Sequence, residues 1–199
     1  MKQFIIGSDE VGYGSYAGPI VVCAIKASFD WKIEGLRDSK KLSPKKREVI
    51  CEKLNALIVN QEIKFALAQR DNLHIDRVGI AVALKECYVE CFRQLYDKQS
   101  SIIVDGNLKF SGLGIDDYDI KSIIKADDSV PMVMAASCWA KVYRDALLVK
   151  LHEQYPIYDW KSNKGYGTPK HKAALEQYGV SPFHRMSYAP MKNMKHVQN

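Results

Sequence analysis

Residues 3–27, QFIIGSDEVGYGSYAGPIVVCAIKA, carry two β-branched apolar runs on either side of a turn-rich stretch. Residues 3–9 and 19–27 read as strands, and the glycines between Gly12 and Gly18 separate them. Working outward, Ser43-Pro44 is a helix start, with serine as N-cap and proline in the first turn. Val49, Leu54, Leu57 and Ile58 then share one face down to about Val59. Residues 62–70 alternate as a strand, and residues 78–95 form a long helix preceded by a short turn over 71–75. Residues 101–104 and 119–124 are two more strands, 131–154 the longest helix and 169–178 a final one. Residues 182–199 read as an irregular basic arm. Strands first, then helices between strands, predict a mixed α/β layer structure rather than a bundle or a sandwich.

The composition narrows the class. The chain has 199 residues, 47% hydrophobic and 26% charged, which is enough apolar content for a packed core and too much for a disordered chain. No apolar run is long enough to cross a membrane, and the N-terminus lacks the pattern of a signal peptide. Five cysteines, an odd number spread through apolar stretches, fit reduced core thiols in a cytoplasmic protein better than a disulfide framework. The net charge of +6 is unevenly placed. Residues 160–199 hold seven cations (Lys161, Lys164, Lys170, Lys172, Arg185, Lys192, Lys195) against Glu176, and so carry the whole surplus. A second knot over 37–48 sets six cations against Asp38 and Glu48, which leaves the remainder at −4. Charge alone describes a solvated lysine-rich surface; its placement suggests a polyanionic partner beside a carboxylate site. The expected organisation is a core over residues 1–159 with a helical, basic extension over 160–199 packed on the same domain.

Carboxylates stand at the ends of several expected elements. Asp9-Glu10 closes the first strand before Val11-Gly12-Tyr13-Gly14, Asp105 closes Ile102-Ile103-Val104 before Gly106, and Asp127-Asp128 precedes the long helix. Taken singly, Asp105-Gly106 reads as a turn and Asp127-Asp128 as a helix N-cap. Acids converging at strand ends would repel one another and resist ionisation unless a cation neutralised them. Oxygen-only ligands suit hard Mg²⁺ or Mn²⁺, and two such ions about 4 Å apart serve phosphodiester hydrolysis. Other chemistries find less support. Gly12-Tyr13-Gly14 lacks the third glycine of a dinucleotide loop, and no P-loop is present. Cys87 and Cys91 lack the companions of a zinc site, and Ser39 and Ser137 lack a nucleophile elbow.

In chain order, the residues resemble the type 2 ribonuclease H (RNase HII) family. The resemblance rests on Gly7-Ser8-Asp9-Glu10-Val11-Gly12 with Ala17-Gly18-Pro19, on Asp38-Ser39-Lys40-Lys41-Leu42-Ser43, and on Val104-Asp105-Gly106-Asn107. It continues through Lys125-Ala126-Asp127, Ala135-Ala136-Ser137, Ala140-Lys141-Val142, Arg144-Asp145, Asn163-Lys164-Gly165-Tyr166-Gly167-Thr168, His171 and His184-Arg185. It implies an RNase H-like mixed sheet flanked by helices. It also implies endonucleolytic cutting of RNA in RNA/DNA hybrids and on the 5′ side of ribonucleotides embedded in duplex DNA, leaving 3′-hydroxyl and 5′-phosphate ends. Mg²⁺ or Mn²⁺, two ions in the active complex, is the implied cofactor, held by Asp9, Glu10, Asp105 and Asp127. The ribose-sensing loop corresponds to Gly12-Tyr13-Gly14, the sugar-stacking tyrosine to Tyr166, and the phosphate or active-site contacts to Lys40, Lys41 and Lys141.

General chemistry agrees with these assignments. Glycines around Tyr13 would let backbone groups approach a 2′-hydroxyl, flanking glycines would free the Tyr166 ring, and lysines attract phosphate without sequence preference. Type 2 enzymes usually carry arginine where this chain has Tyr13, which removes a phosphate contact. The block Gly7–Gly12 is also similar to the type 3 enzymes, which generally cut longer hybrids, whereas Asp127 and the block 163–168 follow type 2. Two alternatives therefore stay open: type 3-like specificity for long hybrids, and a nucleic-acid-binding protein on the same fold that does not catalyse.

Overall fold

The structure, a computed structural model, describes residues 3–192 and 194; of the arm expected over 182–199, residues 193 and 195–199 lie outside the described residues. Five strands form one sheet: β1 (Phe4–Val11), β2 (Ile20–Ser28), β3 (Lys64–Arg70), β4 (Ser100–Asp105) and β5 (Ile120–Ile123). Their order is β3-β2-β1-β4-β5; β1 to β3 are antiparallel neighbours, while β4 and β5 run parallel to β1. The mixed α/β layers expected from the sequence are the layers observed.

Helices cover both faces. On one side α1 (Pro44–Val59) and α4 (Pro131–Gln154) pack over Val21, Cys23 and Ile25; on the other α3 (Ile80–Leu95) packs over Ile6, Val22, Ala24, Ile102 and Val104. Strand β2 is thus apolar on both faces, which is why it reads as a continuous run rather than an alternation. The Ser43 hydroxyl accepts from the Lys46 N–H, and Pro44 opens α1 where no hydrogen bond is lost. Residues 71–75 are not merely a turn. They belong to a helix of their own, α2 (Asn72–Val78), capped by Asp71 and parted from α3 by Gly79 at φ 84°. Seven residues leave too little periodicity to be read from sequence, and the glycine break moves the start of α3 from Val78 to Ile80.

The chain after α4 adds α5 (Trp160–Asn163) and α6 (Pro169–Tyr178). Trp160, Tyr158, Leu175 and Val180 form a third apolar cluster with Ala17 and Leu148, joining this segment to α4 and to the loop after β1. Arg185 belongs to this joint. It is fully buried, and so departs from the solvated tail in which its charge was counted.

One crossing positions the site. Helix α4 passes so close over β1 that a Cβ on Gly7 would stand 2.3 Å from the Val133 nitrogen. Since the obstacle is backbone, it has little room to yield. Gly7→Ala is expected to lower stability by about 1–3 kcal/mol, the range for overpacking, read by urea denaturation; a variant as stable as the parent would refute the close crossing.

Candidate active site

Strand β1 carries two adjacent acids just before its last residue, Val11, and the two-residue strand period turns them to opposite faces of the sheet. Asp9 points toward α4 and the Ser137 hydroxyl, which shares a 2.9 Å hydrogen bond with the Ser39 hydroxyl, and Glu10 points toward α3, where the Tyr88 hydroxyl donates to Oε2 at 2.5 Å. The parallel register pairs Ser8 with Val104, so Asp105 follows beside Asp9 at the end of β4. The Asp105 carboxylate accepts the Ala126 N–H at 2.8 Å, which ties it to the 3-10 turn Ala126–Asp128. Asp127 is buried in that turn, and Lys40 Nζ holds its Oδ2 at 2.9 Å. Asp127 is therefore no N-cap: the cap of α4 is Val130.

These groups meet in an open cleft of about 380 Å³, lined by Asp9, Glu10, Asp105, Gly12, Tyr13, Gly14, Lys40, Lys141 and Tyr166, together with Val11, Ser39, Arg47 and Ser137. Nine of the eleven expected site residues thus share one cleft. Asp127 stands at its edge through Lys40, and Lys41 turns away to Asp128 and Asp38. Lys141, which a helix surface would also accommodate, lines the cleft while paired with Asp145 at 2.9 Å.

Burial and the neighbouring Glu10 and Asp105 charges push the Asp9 carboxyl up to about 7, against hydrogen bonds from Ser137 and the Glu10 N–H that pull it down. Glu10 is raised as well, chiefly by burial, with the Tyr88 bond opposing. Lys40 is raised by its bond to Asp127 and so stays charged. The cleft is a carboxylate cluster short of positive charge at its centre, with cations at its rim. Among the described residues no group of three or more His, Cys, Asp or Glu side chains is arranged as a ready-made metal cage. Carboxylate oxygens at the cleft fit a hard divalent cation of the kind that completes its coordination with water and substrate phosphate oxygens.

The glycines do other work than the sequence suggests. At Gly12, φ 95°, a Cβ would meet the Arg144 side chain at 2.3 Å, so this glycine makes room for a buried arginine. Gly14 has open space around it. Gly165 and Gly167 allow close packing: a Cβ would meet the Ala17 carbonyl at 2.7 Å at the first and the Tyr16 ring at 2.3 Å at the second. They let the two loops that flank the cleft pack against each other.

Two buried arginines lock those loops. Arg144 donates to the Pro19, Ala17 and Lys164 carbonyls and to the Ser15 hydroxyl at 2.8–2.9 Å. Arg185 donates to the Gly18 carbonyl at 3.0 Å and to the Tyr13 carbonyl at 2.9 Å. Burial lowers both guanidinium pKa values, that of Arg144 to about 10, yet both stay charged at neutral pH. Reading charge along the chain misses such residues, and also Tyr88 and Ser137, because their partners lie far away in sequence. The blocks Arg144-Asp145 and His184-Arg185 marked the positions without disclosing a role.

The mixed sheet thus carries acids near the ends of two neighbouring strands, with lysines at the rim of the cleft they line. The model of the family Ribonuclease HII matches residues 6–191. The chain is 39% identical over 191 residues to a Ribonuclease HII of Coxiella burnetii, covering 96% of this chain and 91% of that one. Ribonuclease H2 from Pyrococcus horikoshii superposes with a TM-score of 0.77 at 26% identity, over 95% of each chain. Bst-RNase HIII in complex with Mn²⁺ superposes at 0.70 with 20% identity, over 96% of this chain and 68% of that one, a likeness of fold. The protein belongs to the ribonuclease HII family, whose members are metal-dependent endonucleases acting on RNA/DNA hybrids.

Replacing Arg144 by Met should cost about 2–4 kcal/mol, because the buried acceptors it strands on both loops outweigh the relief of removing a desolvated charge. Urea unfolding measures this, and a loss under about 1 kcal/mol would show that the loops hold without the arginine.

Proposed function

We propose that this chain cuts the RNA strand of RNA/DNA hybrids, and cuts on the 5′ side of single ribonucleotides embedded in duplex DNA, leaving 3′-hydroxyl and 5′-phosphate ends. The observation that carries the reading is the convergence of Asp9, Glu10 and Asp105 in one cleft with Lys40, Lys141, Tyr166 and the loop Gly12-Tyr13-Gly14. Two Mg²⁺ or Mn²⁺ ions, when bound, supply the Lewis acidity that activates water and stabilises the leaving oxygen; Mn²⁺ is the ion in the Bst-RNase HIII complex. Asp9, Glu10, Asp105 and Asp127 are the residues that would hold them.

The remaining roles fall to other parts of the chain. The Glu10 N–H and the Tyr88 hydroxyl orient the carboxylates of Asp9 and Glu10, so the acids need not reorganise when substrate arrives. Lys40 and Lys141 attract the phosphates flanking the scissile bond. The Tyr166 ring packs against the sugar, and the backbone beside Tyr13 meets the 2′-hydroxyl, the atom that separates RNA from DNA. Lys41, engaged with Asp128 outside the cleft, contributes at most to the outer rim. The half-exposed Tyr13 ring, in place of the usual arginine, offers no charge to a phosphate, and this favours type 3-like behaviour as the second reading. The division into a core over 1–159 and a basic extension over 160–199 is part of the same proposal, supported by the apolar cluster that joins them. Five buried free thiols support a cytoplasmic setting, and no helix among the described residues is long and apolar enough to cross a membrane.

Asp9→Asn and Asp105→Asn should each lower cleavage of a hybrid by at least about a thousandfold while hybrid binding stays within about threefold. EDTA should abolish cutting by the parent. Wild-type rates in either variant would refute the ligand assignment. Cleavage of a duplex bearing one ribonucleotide, compared with a long hybrid, decides specificity: equal or faster cutting of the former supports the proposal, and failure there supports the type 3-like reading. On that substrate Tyr166→Ala should cost more than Tyr13→Phe, and the reverse order would reassign the sugar contact.

A further inference from the structure

The segment 181–185 lies between the two substrate-side loops and touches both. Arg185 holds the Tyr13 carbonyl, and the Arg185 N–H donates to the Tyr16 carbonyl at 2.8 Å. His184 reaches the other loop through a second buried imidazole: His184 Nε2 and His171 Nε2 stand 3.0 Å apart, and His171 Nδ1 stands 3.0 Å from the Tyr166 carbonyl oxygen. Both rings are excluded from solvent, at 0% and 1% exposure for His171 and His184, so water does not decide their protonation.

Their surroundings dictate the tautomers. The Ser181 backbone N–H, which can only donate, meets His184 Nδ1 at 2.9 Å, so that nitrogen is an acceptor. A neutral His184 must then carry its proton on Nε2 and donate it to His171. The Trp160 Nε1–H, also an obligate donor, lies 3.3 Å from His171 Nε2 and imposes acceptor character there independently. His171 is left with its proton on Nδ1, aimed at the Tyr166 carbonyl. Two separate donors, one to each ring, enforce the same direction, with the Trp160 N–H and the His184 Nε2–H sharing the one lone pair of His171 Nε2. A proton added to His171 Nε2 would oppose the His184 Nε2–H across 3.0 Å, and burial in any case holds the His171 imidazole below its usual pKa.

We infer that His171 and His184 are positioning residues for the cleavage reaction: a one-way neutral hydrogen-bond relay, Ser181 to His184 to His171 to the Tyr166 carbonyl, that sets the Tyr166 ring relative to the Tyr13 loop. The Tyr166 carbonyl also accepts the Thr168 N–H at 2.8 Å, so the relay supplies the second of two bonds that orient this peptide. Tyr16 packs against His171 with ring centroids 5.9 Å apart, and the same tyrosine's ring fills the space that Gly167 leaves open. The inference rests on the proposal that Tyr166 meets the substrate sugar. If it does, a displaced ring should impair the reacting geometry more than the phosphate contacts that dominate binding, so kcat should fall while KM holds.

Two measurements on the full chain test this. Long-range ¹H–¹⁵N spectra of the histidines near neutral pH should show a neutral Nδ1–H tautomer for His171 and a neutral Nε2–H tautomer for His184. The opposite tautomer or a charged ring at either position would overturn the relay. In kinetics with the single-ribonucleotide duplex, His171→Leu should lower kcat about tenfold with KM changed by less than about twofold, while His171→Asn, whose amide nitrogen can stand in for Nδ1–H, should recover most of the loss. Equal losses in both variants, or a loss in KM alone, would overturn the positioning role. Tyr166→Ala separates the two ideas. If it leaves cutting unchanged, the sugar contact fails and the positioning role with it, whatever the tautomers. If it slows cutting and His171→Leu does not, the relay alone fails.

Discussion

Bringing Asp9, Glu10 and Asp105 into one cleft costs electrostatic energy, and the architecture around them is arranged to bear it. Strand pleat turns Asp9 and Glu10 to opposite faces of the sheet, which relieves part of the repulsion between neighbours in sequence. Parallel pairing of β1 with β4 then restores a second close acid by setting Asp105 beside Asp9. Desolvation and these charges together hold the Asp9 carboxyl near pH 7, far from the usual carboxylate range. No lysine forms an ion pair with Asp9 or Glu10 among the described residues; the lysine contact that reaches the group goes to Asp127. The charge deficit is therefore local to the ends of β1 and β4, where the proposed cations would sit.

The rest of the fold keeps that deficit in place. Gly7 lets α4 cross close over β1, which brings Ser137 into the cleft beside Asp9, and α3 carries Tyr88 up to Glu10. The loops that face the cleft have no regular structure of their own. They are held instead by Arg144 and Arg185, whose guanidinium groups satisfy backbone carbonyls from both loops away from water. Using backbone oxygens as partners leaves the carboxylates of the chain free of these two cations. That separation lets one small domain hold buried positive charge under the loops and buried negative charge at the strand ends.

Much of this was legible in the sequence, for reasons that can be named. Pro44, Pro131 and Pro169 mark helix starts correctly because proline in the first turn loses no hydrogen bond. The acids were visible because carboxylates after apolar runs are costly to bury without a purpose. Helix α2 was not legible, being short and ended by a glycine that also begins the next helix. Arg185 was counted as surface charge because composition cannot tell a solvated guanidinium from one that holds carbonyls. The glycines of both loops were visible as unusual, yet what fills the space beside them, Arg144 under Gly12 and Tyr16 beside Gly167, comes from distant chain. Local rules reached the elements and the acids; long-range packing decided what surrounds them.

The central claim of the proposed function is that Asp9, its pKa raised by burial and by the neighbouring acids, helps to hold a divalent cation in the cleft. Calorimetric titration with Mn²⁺ near pH 6.5, in buffers of differing ionisation enthalpy, measures this directly. The account predicts release of about half a proton or more per protein on binding, falling as pH rises through about 7, and little or no release from Asp9→Asn. Binding without proton release in the parent would contradict it.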